Sequence, residues 1–328
     1  MTDEFGPDPL DPWLRKIADA HEAARHTPGV QCRGSVTLID EAARLRGVAQ
    51  VELGKAISLQ REIETRPDRL ADGRKAADVE KDQWRAMGFA DLPEGHKAVE
   101  LDVTVGIYGR HVHGGDVIKY DAHGVGYTHL DGLAHIGADG TWHGPIPALA
   151  SETDEDTMVN WAQHGIATRG VFLDVTAARG VDWITAEEPV TAADLDAALA
   201  ATGVTLQPGD GLIIYQGRDR YEAAGNVYPS GAAAVARPGI GEDGAEWIAS
   251  QDPGLVLWDF HDARNNPAGS LEVHNLIYAI GLCLVDNCLL GPVAAALEAA
   301  GTSTGLIVAA PTAIHRSTGV IINPLLLY

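Results

Sequence analysis

Short β-rich runs separated by helical stretches constrain this chain more than any other feature. Arg169-Gly170-Val171-Phe172-Leu173-Asp174-Val175 is rich in strand-forming residues, and Pro208-Gly209-Asp210 is a turn opening into Leu212-Ile213-Ile214-Tyr215. Leu282 to Val285 is an apolar run long enough for a buried strand. Between these runs, Ala192 to Thr202 reads as an alanine-rich helix capped by Thr191, and Gly244 to Ser250 and Gly291 to Ala300 as two more helices. Upstream, Val99 to Val105 alternates as a strand does. From Leu38 to Leu53 the apolar residues Ile39, Ala42, Leu45, Val48 and Val51 recur as on an amphipathic helix, with Gly54 to end it. The order predicts a mixed α/β fold. No repeat and no linker divides it, so residues 29–328 are expected to form one domain. Residues 1–28 precede it as an arm whose weak helical pattern at Trp13, Leu14 and Ile17 suits packing on a neighbouring subunit.

Charge narrows the choice of partner. Lys and Arg number 24 against 46 Asp and Glu, a formal net charge of −22 over 328 residues, and such a surface repels phosphate backbones and anionic lipid. A small molecule is the expected partner, with no nucleic acid and no membrane. The charged stretch from Arg61 to Arg85 reads as a solvated loop and helix face. Cys32, Cys283 and Cys288 form no CxxC pair and no even framework, Cys283 and Cys288 reading as buried small hydrophobes. The opening Met1-Thr2-Asp3-Glu4-Phe5 lacks the basic and apolar regions of a signal peptide, so a reducing cytoplasmic location is expected.

Metal-competent side chains crowd one segment: His111, His113, Asp116, Asp121, His123, His129, Asp131, His135, Asp139 and His143. In Thr128-His129-Leu130-Asp131 an extended backbone puts His129 and Asp131 on one face, where imidazole nitrogen and carboxylate oxygen can converge on one cation. Zn²⁺ and Mn²⁺ both suit such a pair. Gly132 then permits a turn that brings His135 back over the same spot as an acid/base group.

The stretch Val125-Gly126-Tyr127-Thr128-His129-Leu130-Asp131-Gly132-Leu133-Ala134-His135 resembles the motif HxGTHxDxPxH of the cyclase family of metal-dependent hydrolases, which includes kynurenine formamidase and isatin hydrolase. Trp142-His143-Gly144 is similar to a motif of the family's longer branch. The likeness continues through Gly34 to Asp40, Gly54 to Leu59, Arg169 to Val175, Pro208 to Asp210, Ser317-Thr318-Gly319 and Asn323-Pro324, covering roughly residues 30 to 328. A family histidine followed twelve positions later by a glutamate matches His274 and Asp286, with a carboxylate one methylene shorter.

The resemblance implies an α/β fold with a mixed, barrel-like, swivelling β/β/α sheet flanked by helices, and a homo-oligomer, a dimer or tetramer. It implies metal ligands at His129, Asp131, His274 and Asp286. The family's first metal histidine falls on Val125, which cannot bind a cation, so one divalent ion, Zn or Mn, is expected. His123, two positions earlier, is a substitute ligand if a bulge brings it round. Leu133 replaces the motif's proline. Tyr127, Trp142 and His143 are candidates for substrate contact.

The reaction expected is hydrolysis of a small amide or ester, such as a cyclic lactam or lactone or an N-formyl arylamine, with His135 as general acid/base. The same residues would serve a metal-assisted cyclase or dehydratase, which product mass distinguishes from a hydrolase. Val125 and Asp286 also motivate a third reading, a non-catalytic member that binds a small molecule.

Overall fold

A computed structural model describes residues 12–22, 33–66, 99–144, 146, 148, 157–228, 236–264 and 271–328. Among the described residues fourteen strands follow one another along the chain. They are β1 (Ala56–Ser58), β2 (Thr65–Arg66), β3 (Val99–Tyr108), β4 (His111–Lys119), β5 (His129–Asp131), β6 (Ile166–Asp174) and β7 (Gly211–Tyr215). After these come β8 (Gly239–Ile240), β9 (Leu255–Trp258), β10 (His261–Asp262), β11 (Leu284–Asp286), β12 (Thr304–Ala309), β13 (Gly319–Ile321) and β14 (Leu325–Leu327).

Nine of them make one sheet in the order β1-β14-β12-β6-β7-β9-β11-β5-β13. The apolar runs β6, β7, β9 and β11 lie parallel at its centre. Their apolar stretches Val171–Leu173, Leu212–Tyr215, Leu255–Trp258 and Leu284-Val285 are buried without alternation, as strands covered on both faces are. The remaining ladders are antiparallel. The result is a mixed α/β domain built on a strongly curled half-barrel sheet flanked by helices, as expected. Among the described residues no helix is long and apolar enough to cross a membrane.

Local signals explain some of the helices. Ala192–Thr202 starts at a capping box, in which the Thr191 hydroxyl accepts from the Asp194 amide while the Asp194 carboxylate accepts from the Thr191 amide. Pro12–Ala20 buries Trp13, Leu14, Ile17 and Ala18, and packs on helix Asn275–Ile280 of the same chain. The helix expected over Leu38–Leu53 is shorter, a 3₁₀ turn at Gly34–Leu38 followed by Glu41–Val48, and its apolar stripe does not face the core. Leu45 and Val48 are exposed, while Ala43 and Gly47 are buried. The cause is close approach to β6: a Cβ on Gly47 would lie 2.6 Å from the Thr168 carbonyl carbon, so small residues, and not large apolar ones, mark the contact. Most of the charged stretch Arg61–Arg85, with Cys32, lies outside the described residues.

Candidate active site

The site forms where β11, β5 and β13 run side by side. In the β5–β11 register Asp286 pairs with His129 and Leu284 with Asp131, and in the β5–β13 register Gly319 pairs with Asp131. Alternation along β5 sends Leu130 into the core and leaves His129 and Asp131 on the other face, where cross-strand pairing brings Asp286 beside them. Thr128 anchors the start of β5, its hydroxyl donating to the Asn287 carbonyl at 2.8 Å and accepting from the Arg61 amide at 2.9 Å.

All three groups are buried, and one ligand atom from each of His129, Asp131 and Asp286 lies within 4.8 Å of the others. His129 Nε2 stands 3.5 Å from Asp131 Oδ1 and 3.9 Å from Asp286 Oδ2. His129 Nδ1 lies 3.2 Å from the Tyr127 carbonyl and 3.4 Å from Asn287 Nδ2, so Nε2 is the ring nitrogen that faces the two carboxylates.

His274 closes the cluster from its far side. Its Nδ1 donates to Asp262 Oδ2 at 2.5 Å, and its Nε2 stands 3.1 Å from Asp286 Oδ2 and 3.6 Å from Asp131 Oδ2. Burial opposes charge on this ring, yet Asp262 and Asp286 together raise its pKa well above the ordinary histidine value. Burial would likewise raise Asp131, but His135, His123 and His129 around it hold its carboxyl at about 2. Asp286 is held well below the usual carboxylate range against burial by His261, His274 and His129.

The expected turn after β5 is present: the His135 amide donates to the Gly132 carbonyl at 3.0 Å, and Gly132 itself donates to the Thr318 carbonyl at 2.7 Å. His135 Nε2 thereby reaches 3.9 Å from Asp131 Oδ2. Burial, added to the neighbouring His123, His274 and His129 rings, lowers its pKa to about 4 even with Asp131 beside it. A neutral imidazole with a free lone pair at neutral pH is what a proton acceptor needs.

His123 also arrives, though through a turn and not through a bulged strand. Its Nδ1 lies 2.8 Å from Asp131 Oδ1, its Nε2 lies 2.9 Å from Thr318 Oγ1, and its ring stacks on His135 with centroids 3.6 Å apart. His123, Asp131 and His135 form a second group able to hold a cation, so Asp131 belongs to both groups. Tyr127 is buried with its ring 6.4 Å from that of His129, and its hydroxyl donates to the Asp121 carbonyl. His143 is directed to helix Asn275–Ile280, Nδ1 at 2.9 Å from the Tyr278 carbonyl, and Trp142 packs over Gly137.

Sequence reasoning missed four contributors. His261 Nε2 lies 2.8 Å from Asn287 Oδ1 and 3.3 Å from Asp286 Oδ2, and its burial lowers its pKa to about 3. Asp262 orients His274, and Trp258 Nε1 donates to Asp286 Oδ1. Asn287, in the left-handed region at φ 57°, turns its side chain to accept from buried Arg218 and from His261. One signal was available: His261-Asp262 follows the apolar run Leu255–Trp258, as Asp286 follows Leu284-Val285.

The donor set suits a divalent cation on one observation above all: Asp131 Oδ2 is buried and has no hydrogen-bond partner among the described residues. A buried anionic oxygen that accepts no hydrogen bond is costly, and a bound cation satisfies it.

The fold and the buried histidine–aspartate cluster define an α/β protein with a candidate divalent-metal centre at the edge of a curled sheet. The chain belongs to the Cyclase family, which matches residues 71–263. A crystal structure described as a novel cyclase is 20% identical, covering 98% of this chain and 100% of its own, with a TM-score of 0.75. An isatin hydrolase bound to the product analogue thioisatinate is 14% identical, covering 84% of this chain and 92% of its own, with a TM-score of 0.53. Isatin hydrolase A from Labrenzia aggregata bound to benzyl benzoate is 12% identical, over 84% of this chain and 94% of its own, with a TM-score of 0.51. These likenesses are of fold. No curated protein matches the chain in sequence.

Proposed function

We propose that the protein is a metal-dependent hydrolase of a small amide or ester, with cyclic lactams, lactones and N-formyl arylamines as the substrate classes. The observation that carries this reading is the buried Asp131 Oδ2, which accepts no hydrogen bond among the described residues and has His274 Nε2 3.6 Å and His135 Nε2 3.9 Å away. Family membership and the hydrolase names of the solved neighbours support it.

His129, Asp131 and Asp286 would hold one Zn²⁺ or Mn²⁺, with His274 as the nearest further donor and His123 bound to the flank of Asp131. The ion would polarise the substrate carbonyl and bring the pKa of bound water towards about 7. His135 Nε2 takes the proton from the attacking water and returns it to the leaving nitrogen or oxygen. Asp262 keeps the His274 ring in one tautomer, Nδ1 protonated and Nε2 turned to the site. Trp258 holds Asp286 Oδ1, leaving Oδ2 for the centre. Tyr127, Trp142 and His143 are proposed to line the substrate side. Val125 offers no donor where the family has a histidine, its carbonyl being tied to Arg218 Nη2 at 2.8 Å, and His123 supports the centre through its bond to Asp131 Oδ1.

Elemental analysis of protein purified without chelator or affinity-column metal tests the reading, with a His129→Ala, Asp131→Ala double variant beside the wild type. About one equivalent of zinc or manganese that disappears in the variant is expected. A panel of lactams, lactones and formamides should then give products heavier by one water. Metal-free wild type, or a product of ring closure, overturns the proposal.

A further inference from the structure

Arg237 is a cation that the fold buries. It is 6% exposed, and its Nε donates to the Asp262 carbonyl at 2.9 Å. Among the described residues that is the only hydrogen bond of the guanidinium, and the buried Nη2 has no partner. Asp262 offers it no carboxylate oxygen. Its Oδ1 accepts from the Val273 amide at 2.6 Å and the His274 amide at 3.2 Å, and its Oδ2 accepts from His274 Nδ1. Carboxylates are not scarce in a chain with 46 Asp and Glu against 24 Lys and Arg, so the lack of a partner is particular to this place. A buried charge that is neither paired nor fully hydrogen-bonded costs free energy, and folds keep such groups where a ligand completes them.

A second cation stands beside it. Two main-chain hydrogen bonds join Arg237 and Arg264 as an antiparallel pair, from Arg237 to the Arg264 carbonyl at 2.7 Å and from Arg264 to the Arg237 carbonyl at 2.9 Å, so their side chains leave the pair on one face. Like charges opposite one another on a ladder repel, and an anion between them turns repulsion into attraction. The pair also adjoins the candidate centre. Asp262 links the two, with its carbonyl on Arg237 and its carboxylate on His274, and the preceding residue His261 comes within 3.3 Å of Asp286 Oδ2. The rings of His135, His274 and His261 follow one another at 6.0 and 5.6 Å, and Arg237 holds the strand at the end of that row. Burial is the first cause of the low pKa of His261, and the charges of His274, Arg237 and Arg218 add to it against that of Asp286.

We propose that Arg237, with Arg264 beside it, binds a carboxylate of the substrate, so that the amide or ester cleaved at the centre belongs to an anionic molecule. The reaction in this statement rests on the hydrolase reading above, while the anion site stands on Arg237 itself. A carboxylate is the class the guanidinium takes: its two oxygens match one planar N–H edge, and its single negative charge balances one buried cation. A net charge of −22 repels anions at long range, so an anionic substrate needs a fixed cation at the place where it stops.

Isothermal titration calorimetry on the full chain tests this with benzoate, benzamide and inorganic phosphate, each added to protein as purified and to chelator-treated protein. Benzoate should bind both forms more tightly than benzamide does, and Arg237→Gln should weaken benzoate about 10- to 100-fold, the range of a hydrogen bond to a charged group. Without ligand, Arg237→Gln should melt at the wild-type temperature or above it, because it removes a buried charge that lacks a partner. Arg237→Lys keeps the charge and loses the fork, so its benzoate affinity should fall between the two. Five results overturn the proposal: equal benzoate binding by wild type and Arg237→Gln, benzoate bound no better than benzamide, phosphate bound in preference to benzoate, no benzoate binding at all, or an Arg237→Gln variant that melts below wild type. Benzoate binding that is lost with Arg237, in a protein that cleaves no amide or ester, upholds the anion site and sinks the hydrolase reading alone.

Discussion

Asp131 sets the chemistry of the centre at the scale of single residues. His123 occupies Oδ1, and Oδ2 faces His135 and His274 without a hydrogen bond, so one carboxylate serves both the metal-binding and the proton-transfer groups. Their separation into roles gives a sharp expectation for His135. Substitution His135→Ala should lower kcat by about 10² to 10⁴ while zinc or manganese content stays at the wild-type level, as measured by steady-state kinetics beside elemental analysis. Loss of metal in parallel would make His135 a ligand instead. Asp262→Asn differs in kind, since an amide NH₂ turned to His274 Nδ1 favours the wrong tautomer; metal affinity should fall roughly 10- to 100-fold, read by competition with a chelator.

Elements show where sequence patterns succeed and where they fail. The helix Glu41–Val48 was misread because periodicity was counted on large residues, whereas contact with β6 is made by Ala43 and Gly47. Gly47→Ala should therefore cost about 1–3 kcal/mol although alanine is the better helix former, read as a lower denaturant midpoint at unchanged slope. At Ala192–Thr202 the pattern of cap and helix was legible in full, because the Thr191–Asp194 box is local. Asp194 has its folded pKa lowered to about 2 by Arg179 and Thr191 against burial, compared with an ordinary 3.8. A depressed carboxyl stabilises the fold above the ordinary value and loses that contribution as pH falls through about 2. The melting temperatures of wild type and Asp194→Asn should thus differ at pH 6 and converge near pH 2. The site divides the same way. His129, Asp131 and His135 share one strand and turn and could be read from spacing, and His274 and Asp286 from a motif. His261, Trp258 and Asn287 join through pairing of β9, β10 and β11 with their neighbours, and no local spacing encodes that pairing.

Over the whole molecule, acidity and the buried cluster act together. A chain of net charge −22 already opposes its own compaction, and it also buries Asp131, Asp262 and Asp286 close to one another. In the absence of a cation, histidines must carry that load, and His274 does so as a protonated ring between two carboxylates. A divalent ion bound by the folded state alone adds RT ln(1 + [M]/Kd) of stability, about 2.7 kcal/mol at a hundredfold excess over Kd. For a domain of this size that is a rise in melting temperature of roughly 3 to 6 °C. Stripping with chelator and restoring Mn²⁺ or Zn²⁺ should move wild type by that amount in both directions. Asp131→Asn should be insensitive to either treatment, and because the substitution removes one of the crowded charges, its melting temperature without metal should fall by less than the metal-linked increment, or rise. A metal-dependent shift retained in Asp131→Asn would place the ion elsewhere in the molecule.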